Sequence, residues 1–152
     1  MIGGRARWVA DLNEFFRDYR LNDVSFTLYA KGQTRNRGLL LSRFFASTAL
    51  PNYSVSLYLL DISGTTATID RLRKWLEIVK ENVREGGFHW GWLILVSAHD
   101  LSPQVESFLE RYERSEVGIA FVNAETGRIL NSNNRVGKSM TKHLGLSKLI
   151  EG

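Results

Sequence analysis

The stretch WGWLILVSA, residues 90–98, is apolar on both of its alternating sets of positions, and no other stretch constrains the fold as tightly. A strand that offers hydrophobic side chains to both faces must be covered on both, which implies a layered structure rather than an open ribbon. Its neighbours fit that requirement. Upstream, Ile69, Leu72, Leu76, Val79 and Val83 recur at spacings of 3, 4, 3 and 4, the apolar stripe of a long helix that Gly86 and Gly87 stop with a left-handed cap. Downstream, Ser102 and Pro103 are suited to the N-cap and first position of a second helix, with Val105, Phe108, Leu109 and Tyr112 inward, and VGIAFVN reads as the next strand.

The N-terminal half predicts a different arrangement. Trp8, Val9, Leu12, Phe15, Phe16 and Tyr19 make one wide stripe of a helix over Arg5 to Tyr19, with Phe15, Phe16 and Trp8 as core residues. Asn22 and Asp23 form a turn before a strand, Val24 to Ala30. KGQTRNRG leads to a second strand, Leu39 to Ala46, and STALPN to a third, Tyr53 to Ile62. The third alternates Val55, Leu57, Leu59 with Ser54, Ser56, Tyr58, as expected of an antiparallel strand with one face less buried. After VGIAFVN, AETGR turns the chain into a short partner, ILNSN, and residues 131–152 form a basic tail. The expected fold class is therefore α/β: one domain over residues 1–152, with a mixed sheet, an antiparallel three-stranded meander and helices on its faces.

Composition narrows the function classes. The absence of cysteine from the 152 residues removes disulfides, cysteine-rich zinc sites and a thiol nucleophile. The N-terminus breaks its apolar pattern with acids and bases, and the longest apolar run, Trp90 to Val96, is short of the roughly 20 residues of a membrane span. A cytoplasmic protein with no membrane partner is expected. The formal net charge is +4, and its distribution says more than its size. Val24 to Leu60 holds Lys31, Arg35, Arg37 and Arg43 with no acid, and Thr126 to Ile150 holds Arg128, Arg135, Lys138, Lys142 and Lys148 with no acid. Segregated cations are the footprint of a phosphate-rich partner.

The order of elements, and most of all GWLILVSAHDLSPQVESFLERYERSEVGIAFVN, resembles the core of the PD-(D/E)XK, or restriction-endonuclease-like, nucleases over roughly Arg5 to Asn123. The resemblance implies a helix, a three-stranded meander, then helix, strand, helix and strand. In that family an acid on the second core strand and an acid on the third hold a metal that activates water, and a lysine two residues after the latter helps neutralise the transition state. Here GLLLSRFFA has no acid, and the third strand offers only Asp61, Ile62 and Ser63. What the resemblance implies is a member that keeps the fold without catalytic residues, metal or cofactor.

The binding residues follow from the strands. Thr27, Tyr29 and Lys31 share a face, with Arg43 or Phe44 and then Tyr58 beside them, and Arg35 and Arg37 sit at the hairpin tip. Rings set among cations suit a single strand of nucleic acid, because each base stacks on a ring while phosphates meet Lys and Arg. Ser132 to Ser139, SNNRVGKS, matches a phosphate-binding loop except for its first residue, and places Arg135 and Lys138 in support. His99, beside Asp100 at a strand end, reads as a locally bonded loop residue, and Asp61 as a cap for the turn after its strand. The expected function is sequence-tolerant binding of single-stranded DNA or RNA through Tyr29, Lys31, Arg35, Arg37, Arg43, Tyr58, Arg135 and Lys138. One alternative is a structural subunit or homo-oligomer that pairs through ILNSN or GGFHWGW with itself or a nuclease; another is a metal-dependent nuclease recruiting Asp100 or Glu125.

Overall fold

A computed structural model of the chain describes residues 10–34, 54–113, 116–134 and 136. Among the described residues six strands follow one another across a single sheet: β1 (Ala10–Leu21), β2 (Val24–Thr34), β3 (Ser54–Asp61), β4 (Trp90–Ser97), β5 (Val117–Asn123) and β6 (Ile129–Asn131). Helix α1 (Ile69–Glu85) connects β3 to β4, and α2 (Pro103–Glu110) connects β4 to β5. The β3–β4 and β4–β5 pairs are parallel, and the other three are antiparallel. The α/β class with a mixed sheet is thus as the sequence implies.

Both helices form for the reasons legible in their sequences. Thr68 caps α1 by accepting from Arg71 N, Asp70 lies in the first turn against the helix dipole, and Leu72, Leu76, Val79 and Val83 are buried. At the other end Phe88 N donates to Val83 O and Gly87 N to Arg84 O, with Gly87 at φ +68°, a Schellman cap. Ser102 caps α2 through Val105 N, and Pro103 opens it. The helix ends at Glu110, so Tyr112 lies just beyond it.

Right-handed crossovers that step in one direction along a parallel sheet put their helices on one face, and β3, β4 and β5 lie in that order. One buried cluster accordingly joins α1 and α2 to Phe26, Tyr29, Tyr58, Leu93, Leu95, Ile119 and Phe121. The second face gathers Ala30, Val55, Leu57, Trp92, Ile94, Ala120 and Val122 with Val136. Both described helices therefore share one face, where the sequence left their side open.

Three expectations change. The helix over Arg5 to Tyr19 is replaced, within the described residues, by β1. Its apolar spacing imitates a helix because the strand alternation breaks: Asp18 lies at φ +50°, and Phe16 and Tyr19, three residues apart, share a face with ring centroids 5.7 Å apart. Asn22 at φ +55° makes the turn that folds β1 onto β2, and asparagine tolerates that conformation. The antiparallel meander is consequently β1-β2-β3; the expected strand Leu39 to Ala46 lies outside the described residues. Finally, β3 is buried on both faces from Val55 to Tyr58, because β4 pairs with it on the side away from β2 and the first face is roofed by α1.

Helix α1 approaches the sheet closely at Gly91. A Cβ there would fall on Val83 Cγ2 and lie 3.4 Å from Val79 Cγ1. Gly91→Ala should therefore cost about 1–3 kcal/mol of overpacking. In urea denaturation the midpoint should drop, and Val83→Ala in the same chain should recover part of the loss, so that the double variant is less destabilised than the two single effects combined.

Candidate nucleic-acid interface

The two tyrosines that the sequence nominates as stacking platforms lie inside the protein. Tyr29 is 5 % exposed and Tyr58 0 %. Their rings stand 5.2 Å apart under α1, and Asn82 of that helix donates through Nδ2 to Tyr58 Oη at 2.5 Å and Tyr29 Oη at 3.5 Å. No base reaches a ring sealed in this way, so both are corrected from binding residues to core residues. The reason is the helix: an amphipathic α1 needs an apolar floor, and β2 and β3 supply it. Burial, which disfavours the phenolate, is the largest influence on both groups and holds their pKa values above the ordinary range.

Lys31 remains half exposed, but Glu14 of β1 takes its ammonium at 2.9 Å, and the hydrogen bond raises the lysine pKa. Lys31 Nζ also sits 5.8 Å from the centroid of Phe16. Arg35, Arg37, Arg43, Arg135 and Lys138 lie outside the described residues.

The start of SNNRVGKS is fastened to β5 rather than left open as a phosphate cradle. Ser132 N donates to Ile119 O, Ile119 N to Ser132 Oγ, and Asn134 Nδ2 to Val117 O at 2.7 Å. Asn133 N is taken by Glu110 O, so the first amides of the loop are spent within the fold.

At the carboxyl ends of the parallel strands a polar crevice of about 410 Å³ lies between the loops 62–67 and 97–102. Asp61 acts as the expected cap, accepting from Ser63 N at 2.9 Å, a bond that lowers its pKa. His99 N donates to Ser97 Oγ, as befits a locally bonded loop residue. Asp100 accepts from Asn123 Nδ2 at 2.7 Å and lies 3.6 Å from Arg128, which also grips Glu106 with both of its terminal nitrogens. Asp100, one of the two carboxylates that a nuclease would recruit, is thus engaged within the fold, and no group of three His, Cys, Asp or Glu side chains among the described residues is placed to hold a metal. No described helix is long and apolar enough to cross a membrane.

The opposite end of the sheet gathers the places where the basic segments join. Ala10 pairs with Thr34, Gln33 with Ser54, Val55 with Trp90, and Gly91 with Val117, whose carbonyl holds Asn134. The chain therefore enters β1, leaves β2, enters β3 and β5, and passes from Asn134 to Val136 all at this one end. Hydrogen bonds tie β3 to the entry of β4 here: His89 N donates to Ser54 O, and His89 Nδ1 meets both the amide and the hydroxyl of Ser54, at 3.0 and 2.8 Å. Residues 1–9, 35–53, 114–115 and 135–152, which start or finish here, carry ten of the 20 Lys and Arg but only Glu151 among the 16 acids. The remaining body carries more acid than base.

No protein-family model matches the chain, and no curated protein or solved structure does. The geometry alone bears on function.

Sequence reasoning missed Phe15 and Phe16. It placed both in a helix core, yet they are 52 % and 40 % exposed on the edge strand, the exposed large hydrophobic residues of the described chain. Two adjacent bulky rings cannot both face one side of a strand, and that was the available signal.

Burial of Tyr58 carries a pH consequence. The folded state holds the phenol proton more tightly than the unfolded chain, so this contribution to stability is intact below about pH 10 and declines above it, where only the unfolded chain ionises. Stability measured by denaturant titration should therefore fall from pH 10 upward. Tyr58→Phe should make that fall shallower, by up to about 1.4 kcal/mol per pH unit, the value of one proton.

Proposed function

We propose that this protein binds nucleic acid without catalysis and with little regard to sequence, through phosphate contacts made at the amino end of its parallel strands. The observation that carries the reading is the convergence of Thr34, Ser54, Val117 and Asn134 at that end, the described residues that flank two acid-free stretches distant in sequence. The cations offered for contact are Arg35, Arg37 and Arg43 from one stretch and Arg135 and Lys138 from the other, with Lys31 at the sheet's margin. An acid-rich body behind a basic end orients a polyanion: repulsion from the body and attraction to the end both confine binding to one side.

Tyr29 and Tyr58 have no part in it. The restriction-endonuclease-like core stays a proposal about fold, supported by the meander followed by helix, strand, helix and strand, while the helix expected ahead of the meander is β1 within the described residues.

The subunit alternative has less aromatic surface to offer at GGFHWGW, since Trp92 is fully buried and the half-buried Phe88 and Trp90 pack on the first and second clusters. The other edge, β6, is three residues long.

The test is a titration of labelled oligonucleotides at two salt concentrations. Binding should weaken steeply with salt, and Arg35→Ala with Arg37→Ala should lower affinity for every sequence alike. The same change should reduce the salt slope by about 0.7 per lost contact on a single strand, or about 0.9 on a duplex. An affinity and slope untouched by this pair and by Arg135→Ala with Lys138→Ala would refute the assignment.

A further inference from the structure

We infer that the edge of the sheet at Phe15 and Phe16 is a base-stacking station that makes the protein favour single-stranded nucleic acid over duplex. This rests on the nucleic-acid reading above and deepens it by naming the strandedness of the ligand and the residues that select it.

Among the described residues β1 has one strand neighbour, β2, and Phe15 and Phe16 stand opposite Ala30 and Tyr29, which belong to the second and first clusters. The two rings therefore project from opposite faces of the same edge. Phe16 has a packed flank and an open one: it lies 5.7 Å from both Tyr19 and Tyr29, and Tyr19 stacks on Tyr29 at 4.5 Å. A ring held by neighbours on one side and bare on the other is pre-organised for a flat partner, since little side-chain freedom remains to be lost.

Charged groups frame the rings. Arg17 and Arg20 are exposed on the same strand with Asp18 between them, and Lys31, paired with Glu14, stands over Phe16. Rings interleaved with cations match a ligand whose bases and phosphates alternate. The edge also leads to the basic end: Ala10 of β1 pairs with Thr34, and Phe15 is five residues on, roughly 17 Å at about 3.4 Å each. A strand held there by its phosphates reaches the rings within a few nucleotides.

A protein strand is the poorer occupant. A register shift between Leu12 and Glu14 and the left-handed Asp18 bracket the rings, leaving only Glu14 to Arg17 as regular edge for a partner backbone. Such irregularities and charges are how sheets keep other strands away.

The experiment compares oligothymidine with a duplex of equal length, in the full chain and in two double variants at exposed positions. Phe15→Leu with Phe16→Leu keeps the apolar surface and removes the rings; Phe15→Tyr with Phe16→Tyr keeps the rings. The expected result is an affinity for oligothymidine about tenfold weaker in the leucine variant, near the original in the tyrosine variant, and an unchanged affinity for duplex in both. Equal effects on single strand and duplex, or none on either, overturn the inference while leaving the phosphate reading intact. Loss of self-association in sedimentation without loss of affinity also overturns it and makes the edge a contact between copies of the chain. Failure of the unaltered protein to bind any oligonucleotide defeats both readings together.

Discussion

The seating of α1 against the middle of the sheet is the constraint on which the rest depends. β4 is apolar on both faces, and a strand of that kind is stable only if something dry lies above and below it. On the first face that cover is α1, drawn down to the backbone at Gly91, where no side chain intervenes. Close approach there fixes how far the helix spreads over β2 and β3. It therefore determines that Asn82 meets the hydroxyls of Tyr29 and Tyr58. A buried hydroxyl without a partner costs about 1–3 kcal/mol, so a helix that covers two tyrosines needs a polar residue at that position, and Asn82 fills it.

The same seating decides which aromatics face water. α1 lies over β2, β3 and β4, and β1 extends past its shelter. Phe26, Tyr29 and Tyr58 become a ladder of packed rings, and at its outer rung Phe16 is open to solvent. The physical reasoning that rings among cations suit nucleic acid is unchanged by this, but the rings that satisfy it differ. Exposure follows the position of the roof, and the roof is a tertiary feature.

Charge follows a similar logic along the other axis of the sheet. Parallel crossovers return the chain repeatedly to the same end, so segments distant in sequence become neighbours there. Stretches rich in arginine and lysine join the fold at the amino ends of β3 and β5 and beside the tip of β2. The carboxyl ends carry internal bonds instead, with Asp61, Asp100 and Asn123 each satisfied by the chain's own groups. Ligands of parallel sheets commonly sit where the strand order reverses. From β3 to β5 the order runs one way, so the crevice between loops 62–67 and 97–102 is not at such a reversal.

By itself the sequence determined the central α/β unit. The double-sided apolar strand, the 3-4-3-4 stripe of α1, the Gly86–Gly87 stop and the Ser102–Pro103 start each rest on interactions within a few residues, and each stands where local chemistry puts it. The turn role of Asp61 is equally local. Only the tertiary structure decided the identity of the first element, because a strand whose alternation breaks at Asp18 and whose register shifts at Leu12 repeats its apolar residues at helical spacing. Pairing with β2, a partner that periodicity does not see, is what selects the strand. Burial of Tyr29 and Tyr58 and exposure of Phe15 and Phe16 were decided there too: alternation assigns a side chain to a face, whereas which face a helix covers, and how far toward the edge, depends on contacts between residues more than fifty positions apart.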